Sequence, residues 1–199
     1  GAEPGSLVPK DQPTKIAAME AIWETHEAPA PLTLFAIPDE AAQTNHAQID
    51  VPWLFGLMGT RSLSTEIPGI KELTAQAEQR IVNGQKAIGV LEQLRKDPAN
   101  EQLREQFLAV RDDLGFGLLL KRYTNDVNAA TPEMIKQAAA DTIPSVTPMF
   151  WSFRIMVGSG LAMALVFVLG LFYSFRNEIA EKAWYLRLAV LALPLPWIA

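Results

Sequence analysis

Two residues in a long apolar stretch have side chains that could do chemistry. Arg154 and Met156 lie near the start of the stretch 150–175, and Arg154 is the only charged residue between Thr142 and Phe175. A charged residue there must find a partner or a polar cavity, or extend its head to the membrane interface. A guanidinium suits a carboxylate such as a cofactor propionate, and a thioether can ligate haem iron opposite a histidine. Packing for Met156 and interfacial placement for Arg154 are the structural alternatives.

A second pair of candidate residues lies near the beginning of the chain. Lys15 and Glu20 are five residues apart, too far round a helix to be neighbours but close enough to converge on a small ligand. The carboxylate could accept a proton from a hydroxyl group while the lysine holds an oxygen atom. A solvated polar face is the alternative. His26 and His46 are isolated, and we interpret them as surface residues.

The apolar stretch predicts a transmembrane helix over 146–175, since the uncharged run from Ile155 can cross a hydrocarbon core of about 30 Å. A second apolar run, 184–199, is interpreted as the start of another span. The connection 176–183 is short and flanked by basic residues, which favours the cytoplasmic side and places 1–141 outside. We expect the chain to be a fragment of a larger polytopic protein.

Charge is distributed unevenly along the 199 residues. Residues 1–141 contain 13 of the 17 basic and 20 of the 22 acidic residues, a formal charge of −7, whereas the remainder is almost uncharged. An acidic first part without a basic stripe argues against nucleic acid as a partner. The chain has no cysteine, which excludes disulfides, thiolate zinc sites and iron–sulfur clusters within it.

The remaining pattern predicts an all-α fold, a polytopic membrane helical bundle fragment with a largely helical extracytoplasmic loop. The loop should contain a short helix over 15–25 capped by Thr14, a helical pair over 70–95 and 99–114, and a last short helix capped by Thr131. The apolar run 32–37 is either a strand or a buried extended segment. A further apolar piece covers 49–60.

Seven distinctive blocks run through the chain: QPTKIAAMEAIWET, APLTLFAIPD, VPWLFGLMGTRS, GIKEL, LGFGLLLKRYT, FRIMVGSG and LPLPWIA. Together they resemble subunit I of the cytochrome bd-type ubiquinol oxidases, occur in the family's order and cover nearly the whole chain. The helical insert from about Ile70 to Tyr123 is similar to the long-loop branch of that family.

The resemblance implies a quinol:oxygen oxidoreductase of the bacterial inner membrane, with 1–141 as its periplasmic quinol-binding loop. Lys15 and Glu20 match residues associated with quinol binding and oxidation. Met156 matches the axial ligand of a low-spin haem b, and Arg154 matches an arginine suited to a haem propionate. Ubiquinol or menaquinol would be the substrate. A high-spin haem b, haem d, subunit II, a small accessory subunit and membrane lipid would complete the assembly.

One departure from the family pattern concerns the histidine haem ligands. The family's histidine haem ligands lie on earlier helices, and neither His26 nor His46 occupies such a position. We therefore expect the fragment alone to be inactive. The alternative from another class is a non-enzymatic polytopic scaffold or transporter with an extracytoplasmic helical loop, in which Met156 packs and Arg154 lies at the interface.

Overall fold

The chain divides into two structural units between Val146 and Thr147. The computed structural model describes residues 12–28, 31–52 and 66–198. Most of these residues are helical, and short 3₁₀ turns join several of the helices. The elements are α1 (Pro13–Glu20), β1 (Leu32–Asp39), β2 (Thr44–Val51), α2 (Ile70–Lys96), α3 (Glu101–Val110), α4 (Leu114–Leu118), α5 (Pro132–Ala140), α6 (Val146–Phe175), α7 (Ala183–Ala192) and α8 (Leu195–Ile198).

Helix α1 is shorter and begins earlier than the sequence predicts. Pro13 occupies its first turn, where the missing N–H costs nothing, and the Gln12 side chain makes no capping bond. The helix ends at Glu20, because Ala21 adopts a left-handed conformation with φ 51°. The prediction of a helix over 15–25 capped by Thr14 is therefore wrong at both ends.

Strands β1 and β2 form an antiparallel hairpin that the all-α prediction does not include. Leu32 pairs with Val51 and Asp39 with Thr44. Asp39 organises the turn, since its carboxylate accepts hydrogen bonds from the backbone N–H groups of Ala41 at 3.0 Å and Ala42 at 2.9 Å. The Ala42 bond is the largest influence that lowers the pKa of Asp39.

The apolar run 32–37 is therefore a strand, one of its two predicted conformations. Within the predicted apolar piece 49–60, residues 53–60 lie outside the described residues. The fold class stands as mostly helical rather than all-α.

The longest helix of the first unit, α2, is the platform on which the other helices of that unit pack. It covers Ile70–Lys96, close to the predicted 70–95. The predicted partner over 99–114 is divided into α3, a 3₁₀ turn and the start of α4. Thr131 caps α5 as predicted, with its hydroxyl oxygen accepting a bond from the Met134 N–H. Buried side chains of α2, α5 and the segment between them form the core, comprising Ala77, Ile81, Leu120, Val127, Ala138 and Ala139.

Two glycines allow α2 and α4 to approach each other closely. A Cβ atom on Gly84 would collide with the backbone of Gly117 and with the carbonyl oxygen of Asp113. The contact is flanked by polar bonds to Asp113, whose carboxylate accepts from Arg80 Nε at 2.6 Å and from Asn83 Nδ2 at 3.0 Å. These bonds, Arg80 first, lower the pKa of Asp113.

In the second unit, α6 is the one helix of the described residues that is long and apolar enough to cross a membrane. Its 30 residues extend roughly 45 Å. The apolar helix α7 follows, and a turn at Leu193 and Pro194 separates it from α8. Tyr185 of α7 donates a hydrogen bond to the Val166 carbonyl oxygen of α6 at 3.2 Å.

We predict that Gly84→Ala destabilises the first unit by about 1–3 kcal/mol, because the added methyl group overpacks a backbone contact. Gly115→Ala is the matched control, since a Cβ there meets nothing within 4 Å. The measurement is the midpoint temperature at which a protease cleaves the first unit in the full-length protein. Equal midpoints for the two variants would contradict the close approach.

Candidate functional site

The structure separates Lys15 and Glu20 by burial. Lys15 is exposed, whereas Glu20 at the end of α1 is only 2% exposed. Five residues along a helix place the two side chains about 140° apart around its axis. Helix α1 thus presents a surface ammonium group and a buried carboxylate rather than one continuous polar face. The solvated-face alternative is wrong for Glu20.

The chain leaves α1 through a Schellman turn immediately after Glu20. The Ile22 N–H donates to the Ala17 carbonyl oxygen at 2.9 Å, and the Ala21 N–H donates to the Ala18 carbonyl oxygen at 3.3 Å. Glycine usually occupies the left-handed position of this turn, and a residue with a Cβ costs about 1–2 kcal/mol there. Alanine at position 21 gives no sequence signal for the turn. The sequence pattern therefore predicts that the helix continues past Glu20.

Helix α2 holds the segment that follows Glu20. The first N–H groups of a helix have no partner within it. Here the Ile70 N–H donates to the Ile22 carbonyl oxygen at 2.8 Å, and the Lys71 N–H donates to the Trp23 carbonyl oxygen at 3.1 Å. The outgoing chain therefore satisfies the start of α2, and α2 in turn fixes the chain after the candidate carboxylate.

An ion pair adds a second link to α2. Lys71 Nζ lies 2.7 Å from Glu24 Oε1, and this hydrogen bond is the main reason that the pKa of Glu24 is lowered. Both groups are exposed, so the pair contributes little stability.

The hairpin holds the same segment from another side, through a residue that sequence reasoning missed. Asn45 of β2 accepts a hydrogen bond from Trp23 Nε1 at 2.8 Å and donates one to the Ala21 carbonyl oxygen at 2.9 Å. Ala21, Ile22 and Trp23 are buried. An asparagine in a polar run carries no sequence signal for such a role, because the contact depends on a hairpin that folds back over more than 20 residues.

A groove of about 540 Å³ lies beside the start of α1, within the size range of ligand pockets. Lys15 and Glu20 do not line it. One wall includes the Arg80 guanidinium, which stacks 4.0 Å above the centre of the Phe116 ring. The lining residues are Gln12, Pro13, Thr14, Leu73, Gln76, Ala77, Arg80, Asp112, Gly115, Phe116, Leu119 and Thr142.

In the second unit, Arg154 folds back along its own helix. Its guanidinium carbon lies 3.4 Å above the centre of the Phe150 ring, and Nη1 donates to the Phe150 carbonyl oxygen at 3.3 Å. Met156 is 43% exposed on α6. Two residues along a helix place Arg154 and Met156 about 160° apart, so the spacing does not bring both side chains to one face.

The side chain of Met156 is chemically suited to haem ligation, because a neutral thioether can coordinate haem iron. Gly160 lies one turn further along the same face, and a small residue there permits close approach by a flat cofactor. His26 and His46 lie in the first unit, where His26 forms a backbone bridge with Ile67 and His46 lies 3.5 Å from Asp39.

Helix α6 has the length and apolar composition needed to cross a membrane, and comparison with known proteins identifies the family. The family model for cytochrome bd terminal oxidase subunit I matches residues 1–199. The chain therefore belongs to the cytochrome bd terminal oxidase subunit I family, whose members are polytopic membrane proteins that carry haems.

Two relatives show how much of such a subunit the chain covers. It is 38% identical over 188 residues to cytochrome bd-II ubiquinol oxidase subunit 1 of Escherichia coli (strain K12), covering 94% of this chain and 37% of that protein. It is 26% identical over 190 residues to cytochrome bd ubiquinol oxidase subunit 1 of Bacillus subtilis (strain 168), covering 96% of this chain and 29% of that protein. The chain thus spans well under half the length of either relative.

We predict that Ala21→Gly stabilises the first unit by about 0.5–1 kcal/mol, because glycine adopts positive φ without a steric cost. Ala17→Gly, in the buried helix interior, is the matched control and should destabilise by a similar amount. Both variants are compared by the protease-cleavage temperature of the full-length protein. A lower midpoint for Ala21→Gly would contradict the left-handed turn.

Proposed function

We propose that this chain is the quinol-oxidising loop and haem-ligating helix of a bd-type ubiquinol oxidase subunit I. The observation that carries the proposal is the family match over residues 1–199, supported by two relatives that are both ubiquinol oxidase subunits. The loop would occupy 1–141 on the periplasmic side, with 146–175 spanning the membrane and 176–183 in the cytoplasm.

Lys15 and Glu20 supply complementary chemistry for a quinol. Oxidation of the ring to a quinone releases two electrons and two protons. Glu20 acts as the general base for one of these protons and the other is released to water, while Lys15, exposed on a different face of α1, donates a hydrogen bond to a ring oxygen of the quinol.

Met156 would hold the electron acceptor, and Arg154 would neutralise one of its propionates. A low-spin haem b supplies one-electron redox chemistry when it is bound, and a methionine ligand raises its potential. Met156 presents its sulfur from an exposed position on α6. Arg154 has to exchange its contact with Phe150 for the propionate, which a flexible side chain can do by rotation about its χ angles.

The rest of the reaction takes place outside this chain. A high-spin haem b and haem d would reduce oxygen to water, with subunit II and a small accessory subunit completing the complex in the bacterial inner membrane. Protons released outside and consumed inside would generate proton-motive force. The family match favours this function over that of a non-enzymatic scaffold or transporter.

The first test is Glu20→Gln in the full oxidase complex. We expect quinol-oxidase kcat to fall by about 10²-fold or more, because general-base catalysis contributes about 10²–10⁴-fold. Lys15→Met should mainly raise the KM for quinol. Glu24→Gln is the matched control, the same change at an exposed carboxylate four residues further on. Full turnover of Glu20→Gln, with normal haem content, would refute the assignment.

The second test is Met156→Leu, with Met163→Leu as the matched change on the same helix. Leucine preserves the volume but cannot ligate iron, so the low-spin b-haem band should disappear from the reduced-minus-oxidised spectrum while the high-spin bands remain. Met163→Leu should leave the spectrum unchanged. An intact low-spin band in Met156→Leu would return Met156 to a packing role.

A further inference from the structure

The hairpin contributes one side chain to the segment that carries the candidate base. Asn45 lies on β2 and is half-buried. It accepts one hydrogen bond from, and donates another to, residues just after Glu20. Its amide oxygen accepts from the Trp23 indole N–H at 2.8 Å, and its amide nitrogen donates to the Ala21 carbonyl oxygen at 2.9 Å. Only a side chain that both donates and accepts can make this pair of bonds.

The position of these bonds connects them to Glu20. Ala21 is the residue directly after Glu20, and its φ of 51° is unfavourable for a residue with a Cβ. Displacement of the segment after Ala21 would break the Ala21 and Ile22 N–H bonds that close the last turn of α1, and the helix would then unwind at Glu20. A bond to the Ala21 carbonyl from a separate element therefore opposes such a displacement.

We propose that Asn45 is a positioning residue for Glu20: by holding the Ala21 carbonyl and the Trp23 indole, it fixes the direction of the Glu20 carboxylate during quinol oxidation. This inference rests on the function proposed above. It gives the β1–β2 hairpin a role in the reaction, although the hairpin carries none of the candidate catalytic residues.

The test uses Asn45→Ala and Asn45→Asp in the full oxidase complex. Asn45→Asp keeps the acceptor for Trp23 but loses the donor to the Ala21 carbonyl, so it isolates the bond next to Glu20. We expect both variants to lower kcat/KM for quinol by about 10- to 100-fold, because a base misplaced by about 1 Å can cost that much. The pH profile of kcat/KM should shift, since Glu20 changes its surroundings, while the haem spectrum stays unchanged.

Thr44→Ala is the matched control, an exposed position of the same strand that is adjacent to Asn45. It should retain normal turnover. Wild-type kcat/KM and an unshifted pH profile in Asn45→Asp would overturn the proposal. If Asn45→Ala makes the loop protease-sensitive, Trp23→Phe replaces it, because this change removes the indole donor to Asn45 and keeps an aromatic ring at the buried position. Normal turnover of both Asn45→Asp and Trp23→Phe would also overturn the proposal.

A double-mutant cycle with Glu20→Asp separates this inference from the proposed function. If Asn45 acts through Glu20, Asn45→Ala should have much less effect in the Glu20→Asp background than in the wild type. Full additivity would refute the positioning role while leaving the proposed function intact. A fully active Glu20→Gln variant would refute the role of Glu20 itself, whatever the cycle shows.

Discussion

The first unit depends on how the chain leaves helix α1. A left-handed alanine ends the helix at Glu20, and the next residues are held by bonds from α2 and from the hairpin. The steric cost of Ala21, about 1–2 kcal/mol, is offset because two N–H groups of α2 and the Asn45 amide all bind this segment. Each element needs the others: α2 would begin with unsatisfied N–H groups, and the buried Trp23 indole would lack its acceptor.

A comparable constraint governs α6, where a cation lies close to the start of an apolar helix. Burial of a guanidinium is costly unless it has partners. Arg154 has two partners on its own helix, since it stacks on Phe150 and donates to the carbonyl oxygen one turn back.

The sequence predicts those elements whose signals are local. The periodicity of α2, the Thr131 cap of α5 and the apolar length of α6 lie within the elements themselves, and the structure has helices at these positions. The hairpin and the end of α1 could not be predicted in the same way. Pairing of β1 with β2 depends on contacts between strands, and Ala21 adopts a conformation that its residue type disfavours. Residue types indicated Lys15 and Glu20 as candidates, but only the fold shows that one is buried.

Long-range contacts also bear on the candidate catalytic carboxylate, because Glu20 lies at a helix end that is held by residues distant in sequence. The helical backbone of Glu20 fixes the direction in which its side chain leaves the helix. At the last position, that backbone stays helical only while the following turn is closed, and this turn is held by residues such as Asn45 and Ile70 that are distant in sequence. The α2 platform, packed through Gly84 and Gly117, therefore bears on the candidate site through its backbone bonds to Ile22 and Trp23. Changes in its packing should reach Glu20 through the Ile22 and Trp23 carbonyls, the points where α2 and the loop are bonded.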